Sequence, residues 1–346
     1  MKKIISCSVL FIFLTIALSG QDLDQSTKKE AKAAFNLGVT NIENNNHEMA
    51  ITNFTKAIQL NPGFDLAYLE RGKLYILKEN IADALRDVNK TIGISPSNGQ
   101  AYFIRGYIEF LKKEYNQALQ DMTIAVQNDY KEPEVYYFRG LIRFKLNDFT
   151  NAILDFSMAI DKKYDFAYAY HERGSTKRYQ NDYKGAINDY EQSLNYDPDI
   201  TTAHNNIGSV KRTTGDYEGA VESYTKALEQ KTDYIFALNN RGTTKYQLED
   251  LEGAIADIET AIELDPEYAY LYNNLGVIKA KMQKHEEALE HFNKAIELNP
   301  EYAQAYLNRG MVQESLGDME AACTDWNKAL ELEMLEAELY IKDCQE

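Results

Sequence analysis

Apolar residues return along this chain at intervals of three, four and seven, and the whole pattern returns every 34 residues. Counting each unit from Ala31, positions 21, 24 and 28 are Ile51, Phe54 and Ile58 in the first unit and Leu289, Phe292 and Ile296 in the eighth. Position 10 is mostly β-branched or apolar: Leu74, Ile108, Ile142, Val210, Ile278 and Val312. This spacing draws one stripe along a helix, not the alternation of a strand. Two helices of about 14 residues, with short turns, fill one period. Glycine holds position 8 of all nine units, from Gly38 to Gly310, and alanine position 20, from Ala50 to Ala322. Helices that cross closely need small residues at the crossing. An interior glycine costs about 1 kcal/mol against alanine, so nine of them mark a repeated packing need. Five of the six prolines fall at position 32 (Pro62, Pro96, Pro198, Pro266, Pro300), where they end the second helix. A fixed period without insertions predicts units that stack into a solenoid.

Tyrosine at position 4 (Tyr68, Tyr102, Tyr136, Tyr170, Tyr272, Tyr306), glycine at 8, alanine at 20 and 27 and proline at 32 complete a signature. It resembles that of the tetratricopeptide repeat family over residues 31–336. The resemblance implies an all-α, right-handed superhelical solenoid of helix–turn–helix repeats at 31–64, 65–98, 99–132, 133–166, 167–200, 201–234, 235–268, 269–302 and 303–336. Residues 337–346 resemble a truncated first helix and are expected to cap the last repeat. Position 11, usually aromatic in that family, is here mostly polar, with Arg143, Lys177, Lys211, Lys245 and Lys279.

Positions 7 and 23 switch together. Six repeats pair arginine with aspartate: Arg71 with Asp87, Arg105 with Asp121, Arg139 with Asp155, Arg173 with Asp189, Arg241 with Asp257 and Arg309 with Asp325. The other three have Leu37 with Asn53, Ile207 with Ser223 and Leu275 with His291. The joint change predicts a structural ion pair between the two helices of a repeat, where a lone charge would be costly.

The first residues have a different character. Met1-Lys2-Lys3 precedes an apolar run from Ile4 to Leu18 that closes on Ser19-Gly20. A basic start, about 15 apolar residues and small residues at the end describe a bacterial signal peptide over 1–20, followed by a polar linker over 21–30. A membrane span wants about 20 apolar residues, so an uncleaved anchor fits less well. Gln21 stands where a lipoprotein would carry cysteine, so the expectation is a periplasmic or extracellular protein that is not a lipoprotein. The formal charge is −17; losing 1–20 removes Lys2 and Lys3 and no acid, leaving 35 basic against 54 acidic residues, a net of −19. Nucleic acid is disfavoured as a partner, since binding it rests on phosphate neutralisation. Cys323 and Cys344 remain after cleavage, and an oxidising compartment allows them to pair across the cap, although spacing alone does not fix the geometry.

Catalytic and metal patterns are missing from the sequence. The five histidines have no mutual i, i+4 spacing, and there is no Walker loop, Gly-x-Ser-x-Gly or zinc-spaced cysteine cluster. No enzyme, cofactor or metal is therefore expected. In the family that this chain resembles, positions 2, 5, 9, 12 and 13 line a concave groove. Those positions hold Phe103, Tyr107, Phe110, Tyr137 and Phe144 in repeats three and four. They hold His171, Arg178, Asn205, Ser209, Arg212, Asn239 and Asn273 in repeats five to eight. An apolar zone beside an amide-rich zone suits an extended peptide: amides both donate to and accept from a backbone, aromatics anchor side chains, and Arg178 and Arg212 can hold a carboxylate. Two other readings stay open. Sugars of a glycan or peptidoglycan can stack on Phe103, Tyr107, Tyr137 and Phe144, or the same positions can be rings buried by tight winding beside a plain solvated face.

Overall fold

Residues 24–345 are described by a computed structural model of the chain, and every regular element among them is helical. One antiparallel helix pair forms per repeat, each first helix packing on the second helix of its own repeat. In the fifth repeat these are Ala167–Tyr179 and Tyr183–Tyr196. The chain divides after Lys131 into two compact units, repeats one to three and repeats four to nine with the cap. The expected signal segment, 1–20, lies outside the described residues.

The start of the first repeat differs from the expectation. The first helix runs Gln25–Glu43, so residues 25–30, read from sequence as linker, are helical. Asp24 caps the helix by accepting from the Thr27 backbone N–H at 2.9 Å, and no glycine or proline interrupts the stretch before Ala31. The C-terminal cap is likewise not one helix. A 3-10 turn at Leu335–Ala337, an α-helical turn at Glu338–Ile341 and a second 3-10 turn at Lys342–Gln345 succeed one another. Tyr340 lies on Trp326 with ring centres 5.1 Å apart, and a disulfide joins Cys323 to Cys344.

The turn inside each repeat has one geometry. Position 15 takes a left-handed φ in all nine repeats, at Gly215 and Gly317 with φ near 85° and at seven other residues between 58° and 62°. Glycine adopts this freely. Glu79, Lys113 and Glu249 do so because the turn closes around them, as when Asn80 N–H donates to Tyr75 C=O at 2.8 Å. Position 16 then caps the second helix: Asp182, Asp216 and Asp250 each accept from the backbone N–H three residues on at 3.0 Å. Second helices of repeats three and nine stop one residue early on left-handed Asp129 and Glu333.

The position-8 glycine sits where the two helices meet. A Cβ on Gly140 would lie 2.7 Å from the Phe156 ring, closer than packed atoms come. Alanine at position 20 and the large residue at position 24 are buried throughout, with Phe54, Tyr190, Tyr224 and Trp326 fully enclosed.

All six arginine–aspartate pairs are bidentate. Arg Nε and Nη2 each meet one carboxylate oxygen at 2.5–2.9 Å, and every aspartate is at most 5% exposed. The third nitrogen reaches further than the repeat. Nη1 of Arg71, Arg105, Arg173, Arg241 and Arg309 donates to Thr55, Asn89, Ser157, Thr225 and Asn293, which hold position 25 of the preceding repeat. Each such arginine therefore ties three helices together. Position 11 explains the departure from the family pattern. Arg143, Lys177 and Lys245 place a second cation on Asp155, Asp189 and Asp257 at 2.6–2.9 Å.

Candidate binding site

The first helices of repeats four to nine touch in succession: Pro133–Lys145 meets Ala167–Tyr179, and the series continues to Ala303–Ser315. Their shared face carries the candidate residues of repeats four to eight. In repeat three, within the first compact unit, Phe103 packs on Tyr130 (5.2 Å) and Phe110 lies near Tyr115 (6.2 Å), with Tyr107 on the same helix, partly buried. In repeat four, Tyr137 is wedged among Phe138, Phe156 and Phe166, and burial pushes its phenol up. Phe144 joins Phe149 and the exposed Tyr179 in a three-ring cluster. These rings are largely engaged with each other, and their outward edges are what a ligand would meet.

The asparagines form a ladder. Asn240, Asn274 and Asn308 at position 6 each donate from Nδ2 to Oδ1 of Asn205, Asn239 and Asn273 at position 5 of the preceding repeat, at 3.1, 2.8 and 2.9 Å. His171 continues it, with Nε2 3.2 Å from Asn206 Nδ2 and 3.3 Å from the Thr202 hydroxyl. Asn205 and Asn273 are only 8% and 4% exposed. The position-5 amides are thus committed between repeats, and the position-6 amides lie nearer the surface. Ser209 donates back to Asn205 C=O at 3.1 Å. Arg212 donates to the Thr243 hydroxyl at 3.2 Å.

Two recesses open on this face, among groove positions that include Thr243, Tyr246, Asn274 and Asn308. One, of about 180 Å³, is lined by Thr243, Tyr246, Gln247, Asn274, Val277 and Ile278. The other, of about 200 Å³, adds Ala280, Lys281, Phe292, Asn308, Met311 and Val312. Tyr246 and Val277 line both. The sequence carries a trace of them. Position 12 changes from Arg212 through Tyr246 to Ala280, while position 9 changes from Ser209 through Thr243 to Val277 and Met311. A small residue beside apolar neighbours leaves room.

Among the described residues no group of three or more histidine, cysteine, aspartate or glutamate side chains is placed to hold a metal, and no helix is long and apolar enough to cross a membrane. One carboxyl is unusual. Glu109 holds position 11 of repeat three, its Oε2 is buried without a hydrogen-bond partner, and burial beside Asp121 raises it to about 7.

Models described as tetratricopeptide repeat match residues 31–64, 201–234, 269–302 and 291–324, and one described as TPR repeat matches 174–213 and 244–283. No curated protein matches the chain. The chain is 30% identical to MamA over 48% of its own length and 96% of that protein's, with a TM-score of 0.43. A tetratricopeptide repeat protein from Parabacteroides merdae is 17% identical, with a TM-score of 0.58 over 71% of this chain and 98% of that one. In the APC/C hetero-tetramer Cut9–Hcn1, the matched chain is 15% identical with a TM-score of 0.57, over 94% and 78%. By these repeat matches, which together cover just over half of its residues, this chain belongs to the tetratricopeptide repeat family.

Proposed function

We propose that this protein is a non-enzymatic, exported scaffold whose first-helix face holds an extended segment of a partner protein. The pair of adjoining recesses in repeats seven to nine carries this reading. Each has room for one apolar side chain, and Tyr246 with Val277 forms the wall between them. Amides of Asn274 and Asn308 border the recesses, where a ligand's backbone would pass. An extended chain sends alternate side chains to one face, so it can fill two neighbouring hollows while its backbone meets those amides. Apolar anchors supply most of the affinity and set which segments bind. Export is supported by the Met1–Gly20 pattern and by a disulfide at the cap, which an oxidising compartment preserves.

The test is panning of a phage-displayed random dodecapeptide library on the protein. Enriched peptides should carry apolar residues and lose binding to Val277→Arg and Met311→Arg. They should keep binding to Leu154→Arg, an exposed change on a second helix. Peptides that bind Val277→Arg as well as the parent would refute the placement. N-terminal sequencing of protein from the native cell tests export, with a mature end near Gln21 expected.

A further inference from the structure

Positions 9, 12 and 24 carry a coordinated change. Repeat five has Ser175, Arg178 and Tyr190 there, and repeat six has Ser209, Arg212 and Tyr224. No other repeat has serine at 9, arginine at 12 or tyrosine at 24. The three residues form one polar floor. Each buried tyrosine hydroxyl donates to its serine Oγ, at 3.2 Å for Tyr190 and 3.3 Å for Tyr224. Burial holds both phenols above their usual range, while the cationic Arg178, joined at Tyr224 by Arg212, pulls the other way.

These two arginines are also unlike the rest. Each of the other eight has a carboxylate oxygen within 2.8 Å. Arg178 and Arg212 have no carboxylate at salt-bridge distance among the described residues, although the chain is strongly acidic. Arg178 Nε is buried without a hydrogen-bond partner while its guanidinium lies over the Tyr179 ring at 5.5 Å, and Arg212 has the Thr243 hydroxyl. Glu172, the acid that acts on Tyr190, is held by His171 Nδ1 at 3.1 Å. Beside Arg178 lies a recess of about 320 Å³, bordered by Tyr179, Asn181, Tyr183 and Thr213. A ring face or a hydroxyl does not neutralise a partly buried guanidinium, so an oxyanion that reaches these two gains charge-assisted hydrogen bonds that nothing in the chain supplies at salt-bridge distance among the described residues.

We infer that repeats five and six form an oxyanion site that takes a carboxylate of the bound segment, from an acidic side chain or a C terminus. The inference rests on the peptide reading above and adds a charge requirement to it.

Three hexapeptides of otherwise identical sequence test it against the full chain: end-capped with one central glutamate, end-capped with glutamine instead, and the glutamine peptide with a free C terminus. Binding is followed by fluorescence anisotropy and by the arginine Nε–H resonances of ¹⁵N-labelled protein. At least one of the two carboxylate-bearing peptides should bind about tenfold more tightly than the capped glutamine peptide and shift the Arg178 and Arg212 signals. Which one does so identifies the source. The preference should shrink with added salt. Arg178→Gln with Arg212→Gln should abolish the preference and leave binding of the glutamine peptide. Tyr190→Phe with Tyr224→Phe keeps the core filled and should lower the preference, which guards against misfolding as the cause. Equal binding of all three peptides with unmoved Nε–H signals overturns the oxyanion site and leaves the groove reading standing. Signals that move with inorganic phosphate while no peptide binds overturn the carboxylate source and the groove reading together.

Discussion

Repeat two and repeat eight solve the same problem in opposite ways. In repeat two, position 23 is Asp87, buried and held bidentately by Arg71, which also grips Thr55 of the preceding repeat. In repeat eight, position 7 is Leu275, position 23 is His291, and position 25 of the preceding repeat is Glu259. Burial and the nearby Lys279 hold His291 below its usual range, which keeps the ring neutral. The other unbraced repeats avoid charge altogether: Asn53 and Ser223 donate to the backbone carbonyl four residues back on their own helix, each at 2.7 Å. A scaffold of one geometry thus tolerates either a charged brace or a neutral filler. It does not tolerate half of each, because a buried charge without its partner is penalised far more than the pair is rewarded.

The comparison breaks most sharply where an aspartate depends on one cation. Among the described residues Asp87 is paired with Arg71 alone, whereas Asp155 has Arg143 as well as Arg139. Arg71→Leu should therefore cost about 3–5 kcal/mol, the range for stripping one partner from a buried pair. Arg139→Leu should cost clearly less, and Arg139→Leu with Arg143→Leu should restore the larger loss. Urea midpoints of the three variants check this. Adding Asp87→Ser to Arg71→Leu imitates repeat six and should recover much of the stability. Equal losses for Arg71→Leu and Arg139→Leu would show that the second cation is ornamental.

The fold was largely legible because its signals are steric and repeat nine times. Gly140 must be glycine against Phe156, and nothing in its neighbourhood competes with that demand. The pairing of positions 7 and 23 was legible because both ends change together. The link to position 25 was in the sequence too. Threonine, asparagine or serine precedes five arginine-bearing repeats at hydrogen-bond distance, while Glu191 and Glu259 precede the two later repeats that lack arginine. It is hard to see within one period because it crosses a repeat boundary. The binding face was less legible. Asn205 and Asn273 look like free amides on a helix wheel, and only the approach of Asn240 and Asn308 from the next repeat shows that they are buried and engaged. The recesses beside Tyr246 depend on what Ala280 leaves empty, and a sequence displays residues, not gaps.

The same comparison can be sharpened by building a brace where none exists. Leu275→Arg alone should destabilise by about 1–3 kcal/mol, because it buries a guanidinium opposite His291 in place of an apolar side chain. Adding His291→Asp supplies the bidentate partner, and adding Glu259→Thr supplies the hydroxyl that Thr55 and Thr225 provide elsewhere. The triple variant should return to within about 1 kcal/mol of the parent, since an ion pair and an apolar filler are close in net energy at such sites. A double-mutant cycle between positions 275 and 291 measures the coupling. Independent, additive losses would mean that the joint switching in the sequence reflects copying of repeats and not a physical linkage.

The smallest effect concerns the brace that has the wrong neighbour. Position 11 of repeat three is Glu109, where repeats four, five and seven put Arg143, Lys177 and Lys245 against the aspartate. Desolvation and the Asp121 charge raise the Glu109 carboxyl from 4.5 to about 7. The sign follows from proton counting. Between about 4.5 and 7 the folded chain holds a proton on Glu109 that the unfolded chain has lost, so stability falls as pH rises through this window and levels off above it. Contact with water moderates the penalty. Glu109→Gln should match the parent at pH 4.5 and exceed it at pH 8, read as the difference between their urea midpoints. Glu109→Lys should exceed it further at pH 8, because it gives Asp121 the second cation that Asp189 and Asp257 possess. A parent–glutamine difference that stays constant from pH 4.5 to 8 would place the ionisation of Glu109 outside this window and leave the repeat-three brace no different from that of repeat two.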